Sequence, residues 1–234
     1  AEMIGYREED LPSVLVVGLG NDSVTPDSLG PRVLDNLQVT RHLDGQYGNT
    51  FLKDRKLPAI SGIAPGVMAQ TGMETQEIIH SIVKETKPDL VVAVDALAAR
   101  STKRLNRTIQ VTDTGINPGS GVGNHRHALD EKSLGVPVIS IGVPTVVDAA
   151  TIVNDTMYNL VTALTQSQAF AAMGNSLEKL NDAEKYELIR ELLSPNLNAM
   201  FVTPKDIDES VKRLCYTISE GLNLAFAGGC LHAL

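Results

Sequence analysis

The sequence predicts an α/β protein whose sheet is mostly parallel and is covered by helices on both faces. Short β-branched runs alternate with longer stretches of helical spacing, which is typical of βαβ units and of the parallel sheets they build. The apolar run at residues 90–94 has almost no polar alternation. Because a strand of that kind is expected to be buried on both faces, helices are predicted above and below it.

Five runs carry the strand pattern, at residues 14–17, 59–63, 90–94, 108–111 and 136–142. Apolar residues at helical spacing predict helices around residues 29–37 and 78–83. Pro31 suits the opening turn of the first of these helices, and Pro88 ends the second. The fourth strand is expected at an edge of the sheet, and a glycine-rich loop at residues 115–124 follows it.

The remainder of the chain predicts helices, at residues 149–164, 181–193 and 203–218. The second of them opens on a capping box that starts at Asn181. The third opens on Thr203 as a cap, followed by Pro204 in the first turn. We therefore expect a single domain over residues 1–234, with a helical carboxyl-terminal portion at about residues 181–234.

The composition is that of an acidic globular protein. Of its 234 residues, 43% are hydrophobic and 21% are charged, and the formal net charge is -8. The chain has no cluster of Lys and Arg to match nucleic-acid phosphates, and no apolar run approaches the roughly 20 residues that cross a bilayer. Its first residues also lack the layout of a secretory signal. We expect a cytoplasmic protein with neither a nucleic-acid nor a membrane partner, in which Cys215 and Cys230 are ordinary buried thiols.

The candidate catalytic groups are two aspartates that follow predicted strands. Asp27 lies shortly after the first strand and Asp95 directly after the third. In open α/β sheets the ligand crevice lies at the carboxyl ends of the strands, so the two carboxyl groups are expected to face one another. Two facing carboxylates can share and transfer a proton.

A structural interpretation of both aspartates stays open at this point. Asp27 could cap the helix that follows it, and Asp95 could cap a short helix at residues 96–100. Arg32 or Arg100 could pair with them as salt bridges. A dinucleotide site at Gly-Leu-Gly, residues 18–20, is disfavoured because Ser23 replaces the third glycine of that motif.

Histidines at the end of the glycine-rich loop offer a second kind of site. His125 and His127 flank Arg126. Surface positions are their ordinary explanation, but either could join Asp27 and Asp95 around a divalent transition metal. The sequence does not decide between these two interpretations.

Several ordered motifs resemble the germination protease family of endospore-forming bacteria, at residues 16–31, 64–68, 94–101, 118–124 and 141–149. The resemblance implies an endopeptidase of aspartic type, without a cofactor or metal, that begins the degradation of small acid-soluble spore proteins on germination. It places the two essential aspartates at Asp27 and Asp95, and it implies a homo-oligomer in the spore core. The implied fold is similar to that of hydrogenase-maturation endopeptidases, which use acids and a histidine with a metal.

The chain departs from that family's pattern in three places. About a dozen residues precede the first strand, whereas the family has a longer amino-terminal region with a removable propeptide. The short amino-terminal region leaves zymogen processing undetermined, and the stretches at residues 44–57 and 166–179 also look abbreviated. The tract from His125 to His127 also differs, which keeps a metal-dependent endopeptidase as the alternative.

Substrate binding is predicted near the same edge of the sheet. The glycine-rich loop should arch over Asp27 and Asp95, and its backbone amides could hold an extended peptide or a developing oxyanion. The predicted substrate-binding residues are Asn21, Gly66, Gly119, Ser120, Gly121 and Asn124. A non-catalytic binding module, in which the acids only cap helices and form salt bridges, is the remaining alternative.

Overall fold

A computed structural model describes residues 11–48, 50–119, 127–167, 169, 181–194, 197 and 200–227. Its elements in chain order are β1 (Ser13–Gly18), a 3-10 helix (Thr25–Asp27), α1 (Leu29–Leu34), α2 (His42–Tyr47), α3 (Phe51–Asp54), β2 (Ala59–Ile63), α4 (Met68–Thr71), α5 (Thr75–Thr86), β3 (Leu90–Ala99), a 3-10 helix (Thr102–Arg104), β4 (Gln110–Thr112), α6 (Glu131–Leu134), β5 (Val138–Asp148), α7 (Ala149–Gln166), α8 (Asp182–Leu193), β6 (Phe201–Val202) and α9 (Ile207–Ala227). The chain divides into two compact units. The first comprises Ala1–Leu97, Ile109–Val143 and Asp206–Leu234, and the second Ala98–Thr108 and Pro144–Lys205.

The first unit contains a sheet with the strand order β2-β1-β3-β5-β4. β1 is parallel to both β2 and β3, and β4 is antiparallel to β5. The Val91 amide donates to the Pro137 carbonyl at 3.0 Å, and further along the Leu97 side chain lies over Gly142, so β3 and β5 run in the same direction. The predicted mostly parallel sheet, with the fourth strand at its edge, is confirmed.

Apolar side chains on the two faces of this sheet form separate layers. On one face, Val14, Val16 and Val92 pack with α1 and α9. On the other, Leu15 and Val17 pack with α5, α6 and Leu129. Successive side chains of a strand point to opposite faces, which is why these uniformly apolar strands supply both layers. The prediction of helices on both faces is confirmed.

Two strands are longer than their sequence patterns predicted. β3 continues to Ala99 and β5 to Asp148. Ala and Leu at 96–99 favour a helix locally, and the tertiary structure overrides that preference, whereas the β-branched residues after Gly142 favour extended backbone. The short helix predicted at residues 96–100 is therefore wrong, and so is the prediction that the third strand ends at Asp95.

The second unit joins the end of β5 to two helices. β6 is antiparallel to β5 at Val147 and Asp148, and Asp148 caps α7 by accepting a hydrogen bond from the Thr151 amide at 2.6 Å. The apolar stripes predicted in this part are only partly buried: Val161 and Ile189 are buried, whereas Leu192 is 75% exposed. Helical spacing located these helices but not the faces that are covered.

Other predictions in the carboxyl-terminal part have mixed outcomes. Thr203 is not a helix cap, because its hydroxyl donates to the Thr145 carbonyl at 3.1 Å and α9 begins only at Ile207. Cys215 is buried as predicted, and burial raises its pKa to about 11. Cys230 lies outside the described residues. None of the helices in the described part of the chain is long and apolar enough to cross a membrane.

Asp155 ties α7 to the 3-10 helix within the second unit. Its Oδ2 accepts hydrogen bonds from the Thr102 amide and hydroxyl, both at 2.7 Å, and from the Ser101 hydroxyl at 3.1 Å. Burial raises the pKa of this carboxyl group, but the hydrogen bonds from Thr102 and Ser101 outweigh burial and lower it below its usual range.

A lowered folded-state pKa stabilises the fold above the unfolded pKa of about 3.9, and that stabilisation disappears as the pH falls through the folded value. Asp155→Asn should therefore lower the free energy of unfolding by about 1 kcal/mol at neutral pH. The difference from wild type should shrink in thermal denaturation below about pH 4. A difference that stayed constant down to pH 2 would mean that the ionised form of Asp155 does not contribute.

Candidate functional site

Asp27 is held in a tight turn after β1. It ends the 3-10 helix Thr25–Asp27, and its Oδ2 accepts a hydrogen bond from the Asn21 amide at 2.8 Å. The N-cap residue of α1 is Ser28, and no side chain caps that helix. Asp27 is therefore not the helix cap that the simpler interpretation predicted. It is half-buried.

Three glycines allow this turn to approach the sheet closely. A Cβ on Gly20 would overlap the Asp27 carbonyl oxygen, and one on Gly30 would overlap backbone atoms of Leu19 and Val94. A Cβ on Gly18 would overlap the Gly30 carbonyl. Gly20 also has a φ of +114°, a conformation that favours glycine. The spacing of these glycines serves backbone packing, which accounts for the Gly-Leu-Gly motif without a dinucleotide.

Asp95 lies inside β3 and is only 4% exposed. Its Oδ1 accepts a hydrogen bond from the adjacent Ala96 amide at 2.9 Å. Strand alternation places its side chain on the same face as Val91 and Ala93, the face covered by α5 and Leu129. A carboxyl group buried at this level requires polar partners, and its position makes a helix cap impossible.

The two aspartates converge at the end of β1. Gly18 pairs with Val94, and the Leu19 amide donates to the Val94 carbonyl at 2.8 Å. Asp95 therefore follows at the level of Leu19 and Gly20. Asp27 Oδ1 lies 3.2 Å from the position that a Cβ on Gly20 would take. The structure thus places Asp95 and the turn that carries Asp27 at the same level along the strands, near the carboxyl end of β1. Arg32 pairs with Asp22 instead, with Nε 3.9 Å from Oδ1.

A chain of polar contacts links this edge to two of the predicted substrate-binding residues. Asn21 Oδ1 accepts hydrogen bonds from the Ser23 amide at 3.0 Å and from Gln70 Nε2 at 3.0 Å. Gln70 Oε1 in turn accepts from the Val67 amide at 3.3 Å, next to Gly66, whose φ is +74°. Gln70 was not predicted from the sequence, because nothing in its local pattern indicates a contact with Asn21.

Ser140 is a second residue that sequence reasoning missed. It lies on β5 and is 2% exposed, and its hydroxyl has no hydrogen-bond partner among the described residues. Because Val138 belongs to the layer beside α5, strand alternation places Ser140 on the same face as Asp95. Ser140 also pairs with Thr112 on β4, so polar side chains extend across three strands on the face that carries Asp95.

The described beginning of the glycine-rich loop lies against that same face. Ile116 and Leu129 form an antiparallel bridge, with amide-to-carbonyl distances of 3.0 and 2.8 Å. Both residues pack in the apolar layer that faces Asp95. Gly119 has a φ of +71°, while Ser120, Gly121, Asn124 and His125 lie outside the described residues. His127 is exposed, and no group of three His, Cys, Asp or Glu side chains among the described residues could hold a metal ion.

Comparison with known proteins identifies the family of the chain. The family model described as germination protease matches residues 3–171 and 161–230. The chain belongs to the germination protease family. The resemblance noted in the sequence is thereby confirmed.

Named germination proteases share about half of their residues with the chain. The one from Caldanaerobacter subterraneus subsp. tengcongensis is 52% identical over 217 residues, which are 92% of this chain and 66% of the relative. One from Clostridium perfringens is 48% identical over 225 residues, or 96% and 68% of the two chains. The chain therefore spans about two thirds of the length of these relatives.

Among solved structures, the comparison finds a NiFe hydrogenase maturation protease from Thermococcus kodakarensis. It aligns with 89% of this chain and 91% of its own, at 17% sequence identity and a TM-score of 0.39.

Proposed function

We propose that the chain is an endopeptidase in which Asp27 and Asp95 act as a pair of aspartic-type catalytic groups. The observation that supports this proposal is their convergence at the end of β1 in a member of the germination protease family. Asp27 is fixed by the Asn21 amide and Asp95 is buried in β3. Gln70, which is exposed and donates to Asn21, lies where a bound peptide could reach it.

The mechanism requires the two carboxyl groups to share one proton. Two carboxyl groups near enough to share a proton do not readily ionise together. The ionised member accepts a proton from water, and the protonated member donates a hydrogen bond to the scissile carbonyl. The half-buried position of Asp27 and the burial of Asp95 provide unequal surroundings, which separate the two roles.

The substrates proposed are small acid-soluble spore proteins, whose degradation begins on germination in the spore core. The proposal follows from family membership, and an extended polypeptide suits an edge of a sheet whose surrounding turns expose backbone amides. We further propose that the chain acts as a single protease domain within a homo-oligomer. The binding-module alternative loses its main support, because neither aspartate caps a helix.

A metal-dependent endopeptidase remains the second candidate, in which His125 or His127 completes a site with Asp27 and Asp95. We expect cleavage of a purified spore-protein substrate to retain most of its rate in EDTA. The double change His125→Ala, His127→Ala should also retain most of the rate. Full loss in EDTA, with recovery on adding zinc, nickel or manganese, would replace the aspartic mechanism with the metal-dependent one.

The glycine-rich loop is proposed to clamp the substrate. Its ends are fixed by the Ile116–Leu129 bridge over the face that carries Asp95. Replacing Gly119 and Gly121 together by Ala should slow cleavage of the full-length substrate about tenfold, while the free energy of unfolding changes by no more than about 1–2 kcal/mol. Comparing the rate with thermal denaturation separates the two effects. Cleavage at the wild-type rate by the folded double variant would make the loop a structural connection.

A further inference from the structure

We propose that the outer edge of β2 binds the substrate by strand addition, with an extended segment of the substrate hydrogen-bonded to Gly62. The inference rests on the proposed endopeptidase function and names where the chain on one side of the scissile bond is held. β2 lies at the end of the strand order, beside β1. Its other side is therefore an edge that can pair with a further strand.

The hydrogen-bonding pattern shows which residues of β2 face outward. The Ile60 amide donates to Thr40 Oγ1 at 2.9 Å, and its carbonyl accepts from the amides of Thr40 and Arg41 at 2.9 and 3.0 Å. Outward-facing residues alternate along a strand, so the amide and carbonyl of Gly62 also face outward. Gly62 is exposed, and none of the described residues outside the sheet hydrogen-bonds to it. The segment at Thr40 thus covers the first half of this edge and leaves the second half open.

A cleft follows the same edge. Its volume is about 560 Å³, and its lining includes Val39, Arg41, Ala59, Ile60 and Gly62. A volume of that size accommodates several residues of a peptide. Arg41 makes no ion pair among the described residues, whereas Asp44, which also lines the cleft, accepts a hydrogen bond from the Leu52 amide at 2.9 Å. The cleft therefore offers a strand edge, apolar contacts and one available cation.

The direction of β2 connects the cleft to the candidate site. Beyond Ile63 the chain turns at Gly66, beside Gln70, whose side chain donates to Asn21. The Asn21 amide holds the Asp27 carboxylate. A peptide paired with β2 advances about 3.3 Å per residue, so a few residues beyond Gly62 bring it to the level of Gly66 and Gln70, on the side of the molecule where Asn21 holds Asp27. The outward amide and carbonyl of Gly62 are a donor and an acceptor at the spacing of a β-strand. An extended peptide matches that spacing and a small ligand does not need it, so an extended peptide is the occupant proposed.

The test compares Gly62→Pro with Gly62→Ala. Proline removes the outward amide and is tolerated at a strand edge whose N–H faces away from the sheet. Alanine adds a Cβ in the same place, 3.1 Å from Leu34 Cδ2, but keeps the amide. KM for a purified small acid-soluble spore protein should be about three- to tenfold higher in the proline variant than in the alanine variant, because one backbone hydrogen bond is lost. The two variants should share the same kcat, because the contact serves binding.

Hydrogen exchange provides a measurement that does not depend on the proline variant folding. In Asp27→Asn mixed with the same spore protein, the Gly62 amide should exchange at least about tenfold more slowly than without it. Equal KM values in the two Gly62 variants, or no protection of Gly62, would overturn strand addition while leaving the endopeptidase proposal in place. Protection that appears without substrate and grows with protein concentration would show a second copy of the chain on this edge, which also overturns it. Failure of wild type to cleave the spore protein would instead contradict the proposed function.

Discussion

Asp27→Asn and Asp95→Asn should each reduce cleavage of a small acid-soluble spore protein by about a hundred- to ten-thousandfold. Neither asparagine can hold or accept the proton that the pair is proposed to share, and general acid–base groups contribute factors of this size. Both variants should fold. An amide oxygen can still accept the hydrogen bond from the Asn21 amide at position 27, or from the Ala96 amide at position 95. The cleavage rate from single-turnover kinetics and the stability from thermal denaturation together check the prediction.

Asp89 provides a matched control on the same strands. Its Oδ2 accepts a hydrogen bond from the Ser13 amide at 2.7 Å, so it joins the beginnings of β1 and β3, whereas the candidate pair lies towards their ends. Asp89→Asn should leave the cleavage rate within about twofold of wild type, since it keeps an acceptor and lies far along the strand from the pair. Wild-type turnover by Asp27→Asn or Asp95→Asn would make that residue structural and refute the mechanism.

The apolar runs in the sequence located most of the sheet, because the residues of those runs are the ones that the strands bury. The run at 59–63 is β2 to the residue, and the run at 14–17 is β1 apart from its ends. The end of β3 was missed because Ala and Leu at 96–99 favour a helix locally, and the end of β5 was missed because Pro144 interrupts its β-branched run. Pairing with neighbouring strands, which no local window contains, decides the structure at both ends.

The candidate site was predictable only in part. Asp27 and Asp95 follow apolar runs, and the rule for parallel sheets brings such positions to one edge. Gln70, Ser140 and Gly62 have no such signal. Gln70 reaches Asn21 from a helix 49 positions along the chain, and Ser140 is significant only because its buried hydroxyl shares a face with Asp95. Contacts of this kind depend on strand order and register, which the residue pattern alone does not specify.

Gly20→Ala should lower the cleavage rate by about a hundredfold, although it changes no polar group. An added Cβ would overlap the Asp27 carbonyl oxygen and crowd its Oδ1. Because the obstacle is backbone, the turn that carries Asp27 must move, and a displacement of about 1 Å at a catalytic group costs rates of that order. The variant also loses about 1–3 kcal/mol of folding stability, because a non-glycine residue is strained at a φ of +114°.

Gly48→Ala separates the two effects of that substitution. Gly48 has a φ of +110°, and nothing lies within 4 Å of the position its Cβ would take. It therefore bears a similar backbone cost without displacing a neighbour. A wild-type rate in Gly48→Ala despite its loss of stability, with a large loss of rate in folded Gly20→Ala, would show that the glycine is required for the position of Asp27. Equal rates in the two folded variants would mean that the position of Asp27 does not limit cleavage, and the proposed role of its carboxyl group would be wrong.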